Sequence, residues 1–223
     1  MITIVIPTLN AAESLTQCLT SHSSAWRTII CDGGSTDKTR EIAQSHGALV
    51  VESAKGRGRQ LHTGAKAATT DWLLFLHADT RLSANAARVI DHFIKNPENE
   101  HKAGYFRFLL DDKGEKARIW EKRVAWRCQK LALPYGDQGL LISREFYNQL
   151  GGYKNMPLME DVDFIGRIKK QSGKKALVLL AADATTSAEK FQRDGYYKRS
   201  MRNLFCLLLF WVKVPPHLIA KLY

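Results

Sequence analysis

Ile2-Thr3-Ile4-Val5-Ile6 is a run of five β-branched residues, and Pro7-Thr8-Leu9-Asn10 comes directly after it. Such side chains favour an extended, pleated backbone, Pro7 stops the run, and apolar residues then recur at helical spacing from Asn10 to Leu19. The segment reads as strand, loop, helix. The same order returns downstream. Thr28 to Cys31 precedes Asp32-Gly33-Gly34-Ser35 and a helix to Ser45, and Ala48 to Glu52 precedes Gly56-Arg57-Gly58 and a helix to Ala68. A fourth apolar strand, Trp72 to Leu76, leads into His77-Ala78-Asp79. Near-continuous apolar strands alternating with helices predict an α/β fold with a mostly parallel central sheet flanked by helices. In such a sheet the loops after the strands gather along one edge, so their polar residues should converge.

Beyond residue 100 the order loosens. We expect a strand near Gly104 to Leu109, a basic helix from Glu115 to Lys130, a strand from Gly139 to Ile142, helices starting at Ser143 and Asp161, and a strand from Ala176 to Leu180. No repeat, low-complexity tract or linker separates the halves, so 1–190 reads as a single domain ahead of a basic, apolar segment, 191–223. A chain of 223 residues suits one such domain.

The balance of 33 Lys+Arg against 22 Asp+Glu gives a net charge of +11. Residues 113–130 carry seven basic and two acidic side chains, and 187–223 carry the same numbers, so two stretches hold most of the excess. A field of this sign attracts nucleic acid, anionic lipid or phosphorylated small molecules without choosing among them. No nucleic-acid module signature accompanies it, so no specific nucleic-acid partner is expected. Cys18, Cys31, Cys128 and Cys206 are scattered and suggest neither a disulfide framework nor a structural metal site. The chain opens on its first strand without signal-peptide features, so a cytoplasmic protein is expected. Leu204 to Val212 is wholly apolar but only nine residues long, against the roughly 20 needed to span a bilayer. With Lys198, Arg199, Arg202 and Lys213 around it, the 198–213 stretch suits peripheral contact with the inner face of a membrane, a packed helix, or self-association into a homo-oligomer.

Five loops carry candidate chemistry. Asp32 ends a strand before Gly33-Gly34, where its carboxylate could accept from a ribose or base; the structural alternative is a turn with Ser35 capping the next helix. Asn10 and Glu13 stand at capping-box spacing, which explains them structurally, while Pro7 and Thr8 would offer backbone to a ligand. Gly56-Arg57-Gly58-Arg59 passes from strand to helix with free amides and guanidinium groups that suit phosphate. His77 and Asp79, two apart beyond a strand, would point to one side and could share a cation of the Mg2+ or Mn2+ kind, or merely cap the next helix. Glu160-Asp161-Val162-Asp163 places three carboxylates at a helix start, as partners of the helix dipole or as a general base with its neighbours.

Taken in order, Ile4-Val5-Ile6-Pro7-Thr8-Leu9-Asn10, Asp32-Gly33-Gly34-Ser35-Thr36-Asp37, Phe75-Leu76-His77-Ala78-Asp79-Thr80 and Met159-Glu160-Asp161-Val162-Asp163 resemble the family-2 glycosyltransferases, and the His-Ala-Asp-Thr run resembles a compact bacterial subgroup of them. The resemblance spans about residues 1 to 180. It implies a GT-A-type fold, with a nucleotide-binding half over 1–100 and an acceptor and catalytic half over 101–190. It also implies a nucleoside-diphosphate sugar donor, UDP-linked by preference, a divalent cation, a small-molecule or lipid acceptor, and displacement with inversion. By the same resemblance Pro7, Thr8, Asn10, Glu13, Asp32, Gly58, Arg59, His77 and Ala78 would surround the nucleotide. Asp79 with His77 would hold the metal, Asp161 would be the catalytic base, and Asp137, Glu160 and Asp163 would stand near donor or acceptor. Two positions depart from the family pattern. Gly33 stands where a second acid is usual, and His77 where the D-x-D motif has an Asp. A nucleotidyltransferase of similar fold would need a Gly-rich, Arg-bearing loop after the first strand, which Pro7-Thr8-Leu9-Asn10 does not supply. A non-catalytic basic binder would leave the acidic loops without a task.

Overall fold

The computed structural model describes residues 1–222. One eight-stranded sheet runs through the molecule in the spatial order β3-β2-β1-β4-β7-β6-β8-β5. Its strands are β1 (Ile2–Thr8), β2 (Arg27–Asp32), β3 (Leu49–Glu52), β4 (Trp72–Phe75), β5 (Thr80–Leu82), β6 (Ala103–Leu110), β7 (Leu140–Ser143) and β8 (Leu177–Thr186). The first four pair in parallel, β3 to β2, β2 to β1 and β1 to β4. From β4 onward the sheet is mixed, because β7 pairs antiparallel with both β4 and β6, β6 runs parallel with β8, and β5 closes the far edge antiparallel to β8.

The period of two along β1 sorts its side chains into the two layers that sandwich the sheet. Ile2, Ile4 and Ile6 enter one cluster with Leu15 and Cys18 of α1 (Ala12–Thr20) and Ile90 and Phe93 of α4 (Ala86–Ile94). Val5 points the other way, into a cluster with Leu61 and Ala65 of α3 (Arg57–Ala67), Tyr147 of α6 (Arg144–Gln149) and Phe164 of α7 (Glu160–Ser172). Gly64 makes the second layer possible at close range, since a Cβ there would sit 2.4 Å from Val5 Cγ1 and 2.7 Å from Cys31 Sγ.

Strand β1 continues through Pro7 to Thr8 instead of stopping. The Leu76 amide donates to the Val5 carbonyl, and pairing with β4 ends at Val5 opposite Phe75. Pro7 shares the parity of Val5, so the N–H it lacks faces the side where the ladder has already finished. Helix α2 (Thr39–Ser45) starts four residues later than Ser35, and Ser35 does not cap it. Two elements were not anticipated, β5 and α4. The first has only three residues, whereas Ala86, Ile90 and Phe93 of α4 are buried at helical spacing, a signal present in the sequence. Strand β8 is twice the expected length and continues to Thr186 after an irregularity in its pairing with β6.

The basic helix α5 (Glu115–Leu131) covers the β6 side of the sheet. The C-terminal segment holds α8 (Glu189–Asp194), α9 (Tyr196–Trp211) and α10 (Pro216–Ile219). Cys206 and Leu207 of α9 pack with Met159 and Val162, so this segment lies directly against the acidic loop.

Candidate active site

The loops after β1, β3, β4 and β8 and the turn before β7 meet the start of α7 around two adjoining cavities. The larger, about 560 Å3, is lined by Pro7, Thr8, Asn10, Glu13, His77 and Ala78 among others. The smaller, about 150 Å3, is lined by Tyr135, Asp137, Glu160, Asp161 and Thr186 with residues of α9. Arg57, His77, Asp79, Ser187 and Lys190 border both, so the two form one continuous cleft.

On its first wall the loop after β1 is built differently from a capping box. Asn10 takes a left-handed backbone (φ 50°), and Ala11 occupies the position before α1 without a side-chain cap. Asn10 Oδ1 accepts instead from the Thr36 amide at 2.9 Å, and its own N–H donates to Ser35 Oγ at 2.9 Å. The loops after β1 and β2 are thus tied together, which leaves the Glu13 side chain outside any capping role.

Asp32 is correspondingly placed away from the cleft surface. It is 1% exposed, and its carboxylate accepts from Thr8 Oγ1, the Gly34 and Ser35 amides, Ser35 Oγ and Arg40 Nε. A carboxylate offers about four lone-pair sites, so these donors use its capacity and leave none for a ribose or base. Burial alone would raise this carboxyl, but the bonds from Ser35, Thr8 and Gly34 outweigh it and hold it below the usual range. The sequence placed Asp32 against the nucleoside; in the structure its carboxylate is engaged by the donors of the neighbouring loop, and Asp32 is not among the residues lining the cleft.

Arg57, not Arg59, faces the cleft. Arg57 with Leu61 and Gly64 follows the inward face of α3, while Arg59 and Lys66, seven apart, fall on its exposed face. Gly58 is needed for packing, because a Cβ there would lie 2.3 Å from the Lys154 carbonyl oxygen and 3.1 Å from Glu160 Cβ. Arg57 Nε stands 3.2 Å from Glu160 Oε1, and Glu160 is 2% exposed. Burial raises the Glu160 carboxyl, with Arg57 pulling against it. Gln60, missed in the sequence, donates to both the Thr8 and Cys31 carbonyls at 2.7 Å and clamps the ends of β1 and β2.

His77 and Asp79 occupy the junction of the two cavities. Desolvation, helped by Arg57, lowers the imidazole to about 4 while Asp79 and Asp161 pull it up, so His77 is neutral at physiological pH. Burial raises the Asp79 carboxyl, but Lys190 foremost, with Arg57, prevails and holds it below the ordinary range. Its Oδ2 accepts from Lys190 Nζ at 2.9 Å, and its Oδ1 is buried without a hydrogen-bond partner. Lys190 lies 111 residues from Asp79, and nothing in the sequence announces the pair.

Among the described residues no three His, Cys, Asp or Glu side chains are grouped as a cation site. A Mg2+-type ion on a phosphate substrate takes only one or two carboxylates from the protein. The orphaned Asp79 Oδ1 beside a neutral imidazole fits that smaller requirement.

The three acids of the 160–163 loop part company. Met159, in left-handed backbone (φ 68°), turns the chain into α7. Asp161 then faces the smaller cavity, with Oδ2 accepting from the Gly136 amide at 3.0 Å and Oδ1 from the Val162 amide at 2.8 Å. Asp163 points elsewhere, to Lys154 Nζ at 2.9 Å and Arg167 Nε at 2.8 Å, and it is a structural ion pair outside the cleft. Asp137, on a single 3-10 turn (Gly136–Gln138), is half-buried, with its Oδ1 buried and unpaired; desolvation pushes its carboxyl up to about 6, opposed by Arg127 and reinforced by Asp161 and Asp79.

A parallel α/β half completed by a mixed half, with strand-end loops forming such a cleft, is the architecture of GT-A-type transferases. The profile of Glycosyl transferase family 2 matches residues 3–132, and the chain belongs to that family. An uncharacterized glycosyltransferase of Mycobacterium tuberculosis (strain H37Rv) is 39% identical over 84 residues, 37% of this chain and 38% of that protein. The aligned part thus spans well under half of that relative's length. Among solved structures, glucosyl-3-phosphoglycerate synthase from Mycobacterium tuberculosis, in complex with Mn2+, uridine-diphosphate and glucosyl-3-phosphoglycerate, superposes with a TM-score of 0.61 at 18% identity, covering 84% of this chain and 70% of that one. Residues 1–349 of TarS from S. aureus give 0.64 at 14% identity, covering 99% and 68%. At such identities the likeness is one of fold.

Proposed function

We propose that this protein transfers a glycosyl group from a nucleoside-diphosphate sugar, UDP-linked by preference, to an acceptor hydroxyl, with inversion at the anomeric carbon. The observation that carries the reading is the continuous cleft that His77, Asp79 and Asp161 line together from different elements. In support, the glucosyl-3-phosphoglycerate synthase was solved with UDP and with Mn2+ or Mg2+.

In this reading the larger cavity takes the nucleotide against Pro7, Thr8 and Asn10, with Glu13 and Ala78 at its border. Arg57 and Lys190 face the diphosphate, whose negative charge grows as it leaves. Asp79, with His77 beside it, would hold a divalent cation. That cation supplies electrostatic stabilisation of the leaving diphosphate. The acceptor occupies the smaller cavity. Its oxygen forms a bond to the anomeric carbon as the bond to the diphosphate oxygen breaks, and its proton passes to Asp161. Two backbone amides fix that carboxylate's orientation and leave each oxygen a further lone pair for the proton. The chemistry belongs on the cytoplasmic side, where nucleotide sugars are available.

Calorimetric titration of UDP with and without Mn2+ tests the reading, together with UDP release from a panel of UDP-sugars. Binding strengthened by Mn2+, with that dependence lost in Asp79→Ala and reduced less in His77→Ala, is expected. Failure of every nucleoside diphosphate to bind, with or without cation, would reject the donor site.

A further inference from the structure

Helix α9 is 16 residues long, and its two faces meet different surroundings. Cys206 and Leu207 are buried against Met159 and Val162. On the opposite face Tyr197, Met201, Leu204, Phe205, Leu208 and Trp211 recur at intervals of three and four, and each is between 47 and 67% exposed. Scattered single apolar residues are ordinary on a surface, but six large ones aligned along a helix of roughly 24 Å are a contiguous patch that calls for a partner.

The charge around the patch identifies that partner. From Gly195 onward there are five Lys and Arg and no Asp or Glu, and of these Arg199 and Arg202 pair with Asp194. Lys198 and Lys213 are exposed at the two ends of the stripe. Helix α5 extends the same character, since Lys116, Ile119 and Arg123 share a surface groove with Tyr197, and Trp126 is 57% exposed one turn further on. A second copy docking symmetrically would set these cations against each other. An anionic bilayer satisfies both features, with apolar side chains at the acyl boundary and cations among the headgroups. Spanning is not an alternative, because no helix among the described residues is long and apolar enough to cross a membrane.

We propose that the outer face of α9, with the adjoining part of α5, seats on an anionic lipid bilayer, α9 lying in the plane of the interface. The inner side of the same helix gives Arg199, Asn203 and Leu207 to the smaller cavity, where Asn203 Oδ1 is buried without a hydrogen-bond partner. An amphiphilic acceptor held in that bilayer would therefore meet the cavity along α9, a consequence that rests on the glycosyltransferase reading.

The test is co-sedimentation of the full chain with phosphatidylcholine vesicles, with and without phosphatidylglycerol, at low and high salt. Binding should require the anionic lipid, weaken with salt, and fall by about ten-fold or more in Phe205→Glu/Leu208→Glu and in Lys198→Glu/Lys213→Glu. Circular dichroism and UDP binding should be unchanged in both variants, which separates lost docking from lost folding. No sedimentation at low salt, or equal sedimentation of the variants, overturns the proposal. A stable dimer that Phe205→Glu/Leu208→Glu dissociates would assign the face to a second copy and overturn it as well. Failure of UDP binding alone would sink the donor reading and leave the vesicle result standing.

Discussion

The backbone amide of Gly136 donates to Asp161 Oδ2 at 3.0 Å, joining segments 25 residues apart at the wall of the smaller cavity. A single hydrogen bond thereby sets the 3-10 turn that carries Asp137 against the first turn of α7. The same glycine leaves room for the imidazole, because a Cβ on Gly136 would stand 2.7 Å from His77 Nε2.

Gly136→Ala should therefore disturb the site more than the fold. The ring or the turn has to shift, and misplacement on the scale of 1 Å costs a site up to about a hundred-fold in rate. We expect transfer to fall by roughly ten- to a hundred-fold, with a stability loss of about 1–3 kcal/mol typical of overpacking. Steady-state kinetics beside thermal melts give the comparison. Transfer within about two-fold of wild type would show that the turn tolerates the extra carbon and that its register is not critical.

Asp137 makes stability depend on pH in an unusual direction. Its carboxyl is raised from 3.8 to about 6, chiefly by burial, so between these values the folded protein holds a proton that the unfolded chain releases. Stability must then fall as pH rises through that window, and the charge present at neutral pH costs at most about 3 kcal/mol. Asp137→Asn removes the charge at similar size. In the metal-free protein its melting point should exceed wild type by about 5–10 °C at pH 7.5, with the gap closing at pH 4. Calorimetry at the two pH values decides, and a variant less stable than wild type at pH 7.5 would mean the charged form is well accommodated.

Asp32 works in the opposite sense. Its folded carboxyl lies below the ordinary range, so its contribution is present above the ordinary value and is lost as pH falls through the folded one. Asp32→Asn removes the buried charge that Arg40 and the Gly34 and Ser35 amides face, and puts an NH2 group where an oxygen accepts from the Thr8 and Ser35 hydroxyls. We expect a loss of about 2–4 kcal/mol, read as a lower denaturation midpoint, with UDP affinity reduced only through the loosened loop. A variant of unchanged stability with abolished UDP binding would restore the direct nucleoside contact suggested by the sequence.

Legibility tracked the range over which each signal acts. The parallel half was readable because β1 to β4 are short apolar runs ending in polar loops, and local periodicity alone sorts Ile4 from Val5. The mixed half was less so, since the reversal at β7 and the extension of β8 to Thr186 depend on pairings between distant strands. In the cleft, the loops holding Asp79 and Asp161 were legible from a strand end and an acid cluster, whereas Asp137 entered only through the family resemblance. Arg57 and Arg59 were both offered to a phosphate and the resemblance picked out Arg59, although the helical period of α3 separates their faces and puts Arg57 on the cleft. Lys190 was beyond reach, because only the fold brings α8 over the loop after β4. The capping-box spacing of Asn10 and Glu13 was misleading, since a tertiary bond to Thr36 outcompetes a local cap.

The most exposed prediction concerns Asp161. Substitutions at the three acids of this loop can be told apart, because each acid has different partners. Asp161→Asn keeps the size and the bond from Gly136 but offers no site for the acceptor proton. A positioned general base contributes about 10²–10⁴-fold, so transfer should fall by roughly that factor while UDP affinity changes little. Asp163→Asn breaks the pairs with Lys154 and Arg167 and should lower stability at nearly unchanged rate. Glu160→Gln leaves Arg57 facing a neutral amide, so its effect should appear first in donor affinity. If loss of one negative charge were the common cause, all three variants would decline together in rate. The base role requires Asp161→Asn alone to lose turnover at constant UDP affinity. Should that variant transfer sugar within a few-fold of wild type, the role passes to Asp137, whose unpaired Oδ1 lies in the same cavity.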